Sequence, residues 1–275
     1  MTRIAVLQMT TGIDPVNNAA TLVGAIGAAA MAGAKMVFTP EMSGLLDRNR
    51  ERAGPHILTE ADNPVLGAVR EAAARTGVWV ALGSLAIRRE DGRWANRSLL
   101  VDASGDIVAR YDKIHMFDVD LASGESWRES SAYAPGEALT VAETPIGRLG
   151  LTICYDLRFP ALFEALGRAG CDAIAIPAAF TIPTGAAHWH VLLRARAIEA
   201  SAFVIAAAQV GTHDDGRGTY GHSLAIDPWG DVLLDMGGEA AGLDFVELDK
   251  TRIAEVRGQL PSLANRRAIP DLSAQ

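Results

Sequence analysis

The sequence predicts an α/β layered fold in which mixed β-sheets are covered by helices. Short runs of Val, Ile and Leu alternate with longer Ala-rich segments of helical character. These apolar runs are not interrupted by alternating polar residues, which is typical of strands covered on both faces. The Asp-Gly pair at positions 91–92 is a strong hairpin signal, so antiparallel hairpins accompany the strand–helix units. This combination favours mixed sheets over a purely parallel sheet.

The first half of the chain carries two predicted helices between its strands. Asn17 or Asn18 is expected to cap the first helix, because an asparagine side chain can accept a hydrogen bond from a free N–H of the first turn. That helix runs to about position 32 and stops at Gly33, and the second covers Pro64 to Thr76 and stops at Gly77. The strands are expected at Ile4–Gln8, Met36–Thr39, Trp79–Ile87, Asn96–Val101 and Ile107–Tyr111.

A long segment from Asp118 to Gly136 separates the halves and has no clear period, and loops of that length are uncommon unless they are functional. Further strands are expected at 139–143, 149–153, 173–176, 202–208, 220–227, 231–236 and 242–247, and helices at Pro160–Ala169, His188–Ala200 and from a cap at Asp249 to about Gln259. No linker rich in Pro, Gly and Ser and no short repeat is evident, so a single domain over residues 1–275 is expected.

Composition excludes several function classes. The 275 residues are 49% apolar and carry a net charge of −8, which suits a large core and argues against disorder. A pI near 5.3 argues against a nucleic-acid binder. The N-terminus lacks the apolar stretch of a signal peptide, and Ala202–Val210 is far shorter than the roughly 20 residues that span a bilayer. We therefore expect a cytoplasmic protein with neither nucleic-acid nor membrane partners.

The two cysteines differ in their surroundings. Cys154 directly follows the apolar run 149–153. It precedes Pro160, which is well placed in the first turn of a helix. Such a strand-to-helix turn exposes a nucleophile and offers backbone N–H groups to an oxyanion. The alternative is a small buried core residue, which free cysteine most often is. Cys171 follows a helix with no helix start behind it, and we interpret it as structural.

A cysteine nucleophile needs a base, because a free thiol with a pKa near 8.5 is mostly protonated at neutral pH. Glu41 emerges directly from the end of an apolar strand, where it is either a turn residue or a partly desolvated base. Lys113 follows the strand 107–111 and is either solvated surface or a stabiliser of an oxyanion. Polar residues at the ends of several strands of one α/β sheet are a common way to assemble a site.

Three segments resemble those of the carbon–nitrogen hydrolase (nitrilase) superfamily: Thr39–Ser43 around a glutamate, Asp112–Asp118 around a lysine, and Gly150–Pro160 around a cysteine. They occur in the order and at about the spacing of that family. The similarity continues through 187–189, 194–199, 221–223 and 227–230, and so covers nearly the whole chain.

The resemblance implies a four-layer α-β-β-α sandwich and a Glu-Lys-Cys triad. By position, Glu41 is the general base, Cys154 the nucleophile, and Lys113 the stabiliser of the tetrahedral intermediate. The backbone N–H of Tyr155 completes the oxyanion hole, and Glu129, on the long central segment, orients the lysine and the substrate. This chemistry requires no metal and no organic cofactor, and no zinc-type ligand spacing appears in the sequence.

Within the superfamily the sequence resembles the small single-domain branch that contains deaminated glutathione amidase and omega-amidase, and the Ala-Ala-Ala-Gln stretch at 206–209 leans towards the former. Arg158 is then a candidate for binding a substrate carboxylate, with a structural ion pair as the alternative. Ala161 and the Leu45-Leu46 pair depart from the pattern of relatives, which usually have a glutamate and an aromatic residue there. Both departures concern substrate preference more than chemistry.

The expected activity is therefore cysteine-dependent hydrolysis of a small carboxylated amide, with ammonia release and a thioester intermediate. Omega-amidase and N-carbamoyl amino acid hydrolase remain alternatives, and a small-molecule binding protein is the non-enzymatic one. The resemblance also implies a homodimer or higher homo-oligomer. The segment around His188, Trp189 and His190 and the helix bearing Arg194 and Arg196 are expected to serve interior packing or that interface rather than catalysis.

Overall fold

Two six-stranded sheets and two short hairpins contain the strands of the computed structural model, which describes residues 1–120, 124 and 126–270. The strands are β1 Thr2–Gln8, β2 Met36–Phe38, β3 Trp79–Arg88, β4 Trp94–Val101, β5 Ile107–Asp112, β6 Asp118–Asp120, β7 Ser126–Arg128, β8 Val141–Thr144, β9 Gly147–Leu151, β10 Ala173–Ala175, β11 Phe203–Ala206, β12 Val210–Thr212, β13 Gly218–Tyr220, β14 Leu224–Ile226, β15 Val232–Asp235 and β16 Gly242–Leu248. The helices are α1 Pro15–Met31, α2 Arg50–Ala53, α3 Pro64–Thr76, α4 Pro160–Arg168, α5 Ile182–Ala200 and α6 Thr251–Gln259.

Both large sheets are mixed. The first has the order β16-β1-β2-β3-β4-β5, and its central strands β1, β2 and β3 are parallel. The second has the order β15-β14-β11-β10-β9-β8, with β9, β10 and β11 parallel. Antiparallel strands flank the parallel strands of each sheet, as the hairpin signals predicted.

The alternating side chains of β1 show how the layers stack. Ile4 and Val6 enter a core shared with the second sheet and with α4 and α5, whereas Ala5 and Leu7 enter a second core with α1 and α3. Each large sheet is therefore apolar on both faces, which is why its strands are apolar runs in the sequence. The order helices, sheet, sheet, helices confirms the predicted α-β-β-α sandwich.

Three helix starts differ from the predictions, and the start of α6 differs least, since Lys250 and not Asp249 is its cap residue. Asp14, and not Asn17 or Asn18, caps α1 by accepting a hydrogen bond from the N–H of Val16 at 2.9 Å, with a proline as the first helical residue. Helix α5 begins at Ile182 instead of His188, and so includes six residues that were not predicted to be helical. Its proline at position 183 is tolerated because it lies in the first turn. Helix α3 has the predicted bounds and ends at a left-handed glycine.

The central segment from Asp118 to Gly136 contains more structure than predicted. Strands β6 and β7 pair as a small antiparallel hairpin, and a 3-10 turn covers Glu129–Ser131. Residues 121–123 and 125, which this segment includes, lie outside the described residues. No helix in the described part of the chain is long and apolar enough to cross a membrane.

Candidate active site

One cavity of about 880 Å³ opens where the ends of β2, β5 and β9 meet. Among its lining residues are all six predicted site residues: Glu41, Lys113, Glu129, Cys154, Tyr155 and Arg158. The predicted strand-end residues therefore lie together in one cavity.

Cys154 stands at a sharp turn between β9 and α4. It begins the 3-10 turn Cys154–Arg158, its φ is +48°, and its N–H donates to the carbonyl of Pro177 at 2.8 Å. A non-glycine residue in a left-handed conformation costs about 1–3 kcal/mol and persists only where its surroundings fix it. The turn directs the thiol into the cavity, and Tyr155 follows in the first turn, where backbone N–H groups lack helical acceptors.

Glu41 follows β2, past Pro40, and is buried. Its Oε1 accepts hydrogen bonds from Lys113 Nζ at 3.0 Å and from Asn96 Nδ2 at 2.9 Å, and its Oε2 accepts one from the N–H of Ala179 at 3.0 Å. Gly83 of β3 makes this position possible, because a Cβ there would collide with the backbone carbonyls of the Thr39-Pro40 segment.

Lys113 is the most enclosed cation of the site, with a side chain only 2% exposed. It follows β5, and its N–H donates to the carbonyl of Asn96 in β4 at 2.9 Å. Its Nζ lies 3.0 Å from Glu41 Oε1 and 2.9 Å from Glu129 Oε2. The ammonium is thus bracketed by two carboxyl groups, which hold it beside the thiol.

The charges of the three groups follow from this arrangement. Burial alone would raise the pKa of Glu41, but the Lys113 ammonium and hydrogen bonds from Cys154, Lys113 and Asn96 lower it below its usual value. Burial opposes the charge of Lys113, yet Glu129 and Glu41 raise its pKa well above the usual value. Burial and the Glu41 carboxylate raise the pKa of Cys154. At neutral pH the site holds a carboxylate, an ammonium and a protonated thiol.

Similarity to known proteins supports a family assignment. The sequence profile described as carbon-nitrogen hydrolase matches residues 3–258. The chain belongs to the carbon-nitrogen hydrolase family. This membership confirms the predicted enzyme class, a hydrolase of carbon–nitrogen bonds, and sets aside the non-enzymatic alternative.

Relatives of this hydrolase cover nearly its whole length. A deaminated glutathione amidase of Yersinia enterocolitica is 44% identical over 272 residues, which are 98% of this chain and 94% of the relative. The NitFhit protein of C. elegans superposes with a TM-score of 0.89 at 35% identity, over 97% of this chain and 65% of that longer chain. A mutant of the amidase from Nesterenkonia sp. AN1, with acrylamide added at its active-site cysteine, gives a TM-score of 0.78 at 25% identity, over 95% of this chain and 98% of that one.

Two buried polar residues that the sequence did not single out organise the hydrolase site. Asn96 Nδ2 donates to Glu41 Oε1 at 2.9 Å and to Glu129 Oε1 at 3.1 Å, so it joins the two carboxyl groups. Asp156, two residues after the nucleophile candidate, accepts hydrogen bonds from the Tyr111 hydroxyl at 2.6 Å and from the N–H of Ile153 at 2.9 Å. Neither residue stands out in the sequence, because Asn96 is followed by the polar pair Arg97-Ser98 and Asp156 lies two residues before Arg158.

The candidate for substrate binding, Arg158, faces the cavity without an acid partner. Its Nη1 lies 3.3 Å from His188 Nδ1, and its guanidinium lies 5.3 Å from the ring centroid of Phe180. No carboxylate in the described part of the chain lies within ion-pair distance of it. Among these residues Arg158 therefore forms no structural ion pair near the cysteine, which was the alternative to substrate binding.

The remaining sequence expectations concern residues around the cavity. Leu45 and Leu46 line it, whereas Ala161 is exposed on α4 and does not, so only the leucine pair bears on substrate shape. Trp189 and Arg196 of α5 are buried, in agreement with the expectation that residues of this helix serve interior packing. Cys171 is fully buried away from the cavity lining, and burial raises its pKa to about 11.

Proposed function

We propose that this carbon–nitrogen hydrolase is an amidase in which Cys154 is the nucleophile, Glu41 the general base and Lys113 the oxyanion stabiliser. The observation that carries the proposal is that the buried Glu41 carboxylate accepts a hydrogen bond from Lys113 Nζ at 3.0 Å and lines the same cavity as the Cys154 thiol, whose pKa its charge raises. A protonated thiol beside an ionised carboxylate needs only a short proton transfer to become a nucleophile.

In the acylation step, Glu41 takes the proton from Cys154 as Sγ attacks the amide carbonyl carbon. The oxyanion forms beside Lys113 Nζ and the backbone N–H of Tyr155, two donors that gain strength as the negative charge develops. The carbon–nitrogen bond then breaks, and the proton held by Glu41 passes to the leaving nitrogen, which departs as ammonia. A thioester on Cys154 remains.

In the deacylation step, a water molecule attacks the thioester while Glu41 takes one of its protons. The carbon–sulfur bond breaks, the carboxylic acid product leaves, and the proton held by Glu41 passes to the Cys154 thiolate, which restores the thiol. Glu129 positions Lys113 throughout, because its Oε1 and Oε2 lie 3.2 and 2.9 Å from Nζ. No step of this cycle needs a metal or an organic cofactor.

The substrate proposed for this site is a small amide that carries a carboxylate, and deaminated glutathione is the first candidate because of the relative at 44% identity. Arg158 supports the choice, since its guanidinium at the cavity wall pairs with no carboxylate of the described residues and can form a bidentate pair with that of a substrate. Omega-amidase and N-carbamoyl amino acid hydrolase activities are the second candidates, because the triad chemistry serves amide and ureido groups alike.

Ammonia release from a panel of substrates tests the proposal. Deaminated glutathione, alpha-ketoglutaramate and an N-carbamoyl amino acid would be compared by kcat/KM with wild-type protein and with Cys154→Ala. We expect the highest kcat/KM on deaminated glutathione and a loss of about 1,000-fold or more in the variant. A preference for the ureido substrate would overturn the substrate proposal alone, whereas retained turnover in Cys154→Ala would overturn the mechanism.

We also propose that the chain pairs as a homodimer through the outer face of α5. Val191 and Ile198 lie two turns apart on this helix and are 69% and 44% exposed. An exposed apolar stripe on a helix is typical of a surface that a partner covers. Sedimentation velocity should give a dimer for the wild type and a monomer for Val191→Asp, and a wild-type monomer would contradict the proposal.

A further inference from the structure

Two histidines and an aspartate from three separate segments converge outside the catalytic cavity. His190 lies in α5, His222 follows β13, and Asp235 ends β15. His190 Nε2 lies 3.0 Å from Asp235 Oδ2, and His222 Nδ1 lies 2.9 Å from Asp235 Oδ1. One potential ligand atom from each residue lies within 4.8 Å of the other two. None of the three lines the cavity, and the proposed reaction uses none of them.

Neighbouring groups fix the positions of these three side chains. Trp189 Nε1 donates to the carbonyl of His222 at 2.7 Å, which joins this residue to α5. The N–H of His222, whose φ is +54°, donates to the carbonyl of Gly237 at 2.7 Å, and the N–H of Gly237 donates to Asp235 Oδ1 at 2.9 Å. The Tyr220 ring stacks on the His222 ring with centroids 4.5 Å apart. Such support is what a metal site needs in order to hold its ligands in place before the ion arrives.

The donor set has a definite chemical preference. Two imidazole nitrogens and one carboxylate oxygen suit divalent transition-metal ions, above all Zn²⁺, and three protein ligands leave a position for water. The side chains of His190, His222 and Asp235 are 33%, 25% and 35% exposed, so an ion and its remaining water can reach them. We propose that His190, His222 and Asp235 form a site for a divalent transition-metal ion of the zinc type, separate from the cysteine site.

Binding replaces the hydrogen-bond contacts of the two imidazole rings with Asp235, and each ring proton that faces the carboxylate moves to the other ring nitrogen by exchange with water. Each imidazole presents to the ion the lone pair of the nitrogen that now faces Asp235 and carries its proton on the other nitrogen. The carboxylate exchanges its contacts with the two rings for a bond to the ion. The site then links α5, β15 and the turn after β13. The N–H of Tyr220 in β13 donates to the carbonyl of Phe180, a cavity-lining residue, at 3.0 Å, so the ion also braces the segment behind one cavity wall.

Calorimetric titration of the chelator-treated full chain with ZnCl₂ tests the site. We expect one ion per chain, with affinity reduced about tenfold or more in His190→Ala, His222→Ala and Asp235→Asn. His56→Ala, a histidine outside the cluster, is the matched control and should bind as the wild type does. Because a thiol near a carboxylate can also bind zinc, the titration is repeated in Cys154→Ala, where binding should persist.

A second measurement keeps the test independent of folding defects in the histidine variants. In the Cys154→Ala background, zinc should raise the melting temperature, since an ion that binds only the folded chain stabilises it. Asp235→Asn retains the shape of the side chain and, at the same zinc concentration, should make that rise smaller because it weakens binding. Absence of zinc binding by the wild type, binding that is lost in Cys154→Ala, or a rise of the same size with and without Asp235→Asn would each overturn the proposal.

Discussion

The Tyr111 hydroxyl donates a hydrogen bond of 2.6 Å to Asp156 Oδ2 and thereby joins the strand that precedes Lys113 to the turn that carries Cys154. Asp156 Oδ1 accepts two more contacts from the same segment, from the N–H of His115 at 3.1 Å and from its Nδ1 at 2.7 Å. The carboxylate is fully buried, so each contact also offsets the cost of its burial. Cys154 and Lys113, the proposed nucleophile and oxyanion stabiliser, are therefore linked through the hydrogen bonds of Asp156.

Tyr111→Phe removes this link without adding volume. A hydrogen bond to a buried charged group contributes about 1.5–3 kcal/mol, so the free energy of unfolding should fall by about that amount. Urea denaturation measures the loss, and kcat at a temperature where the variant stays folded should also fall, because Lys113 is less firmly placed. An unchanged kcat with reduced stability would show that the link serves folding alone.

Asn96→Ala removes the amide that joins Glu41 and Glu129. Without it the two carboxyl groups lose a shared donor, and among the described residues Lys113 alone still contacts both. We expect kcat to fall about 100-fold, as for other small displacements of catalytic groups, with a folded protein by circular dichroism. Asn63→Ala is the matched control: this buried asparagine caps α3, so its loss should cost about 1 kcal/mol of stability and leave kcat unchanged.

The pH profile should reflect a lowered pKa for Glu41 and a raised pKa for Cys154. Burial raises the pKa of Glu41, but Lys113 and the hydrogen bonds to the carboxylate outweigh this effect. Glu41 therefore stays ionised at pH values below its usual pKa of 4.5. At Cys154 burial and the Glu41 charge keep the thiol protonated above the usual value of 9.0. The dependence of kcat/KM on pH should be flat through neutrality, with the acid limb below pH 4.5. An acid limb near neutral pH would indicate a different base.

Arg158 should act on binding more than on chemistry. Arg158→Ala removes a charge-assisted pair with the substrate carboxylate and should raise KM for a carboxylated amide by about tenfold or more. For an uncharged amide of similar size, KM should change little. Arg168→Ala, on the exposed side of α4, is the control and should leave both constants unchanged. A fall in kcat alone for Arg158→Ala would contradict a binding role.

The parts of this site that the sequence predicted are those where an apolar strand ends at a polar residue. Glu41, Lys113 and Cys154 each follow such a run, and α/β sheets bring strand ends together. Asn96 and Asp156 cannot be singled out from the sequence, because each has other polar residues close by and nothing local shows which partners it will meet. Their partners come from other strands and turns, and only the folded register supplies them.

The layers of the fold could also be predicted from the apolar runs in the sequence. Strand runs that are apolar on both faces require covering layers, and this condition is visible in the sequence. The sequence does not identify the cap of α1, because Asp14, Asn17 and Asn18 are all good capping residues and lie within about one turn of each other. The Asn18 side chain instead forms hydrogen bonds outside the helix: it accepts one from the N–H of Gly12 and donates one to the carbonyl of Gly44.

The central claim, that Cys154 carries the acyl group during turnover, is tested most directly by trapping the intermediate. Wild-type protein would be quenched in acid during steady-state hydrolysis of its best amide substrate, digested and analysed by mass spectrometry. We predict that the peptide containing Cys154 carries the acyl mass of the substrate, in a form released by hydroxylamine, and that the peptide containing Cys171 carries none. An acyl group on any other residue, or turnover with no covalent adduct in a sample that releases ammonia in a rapid burst, would contradict the account.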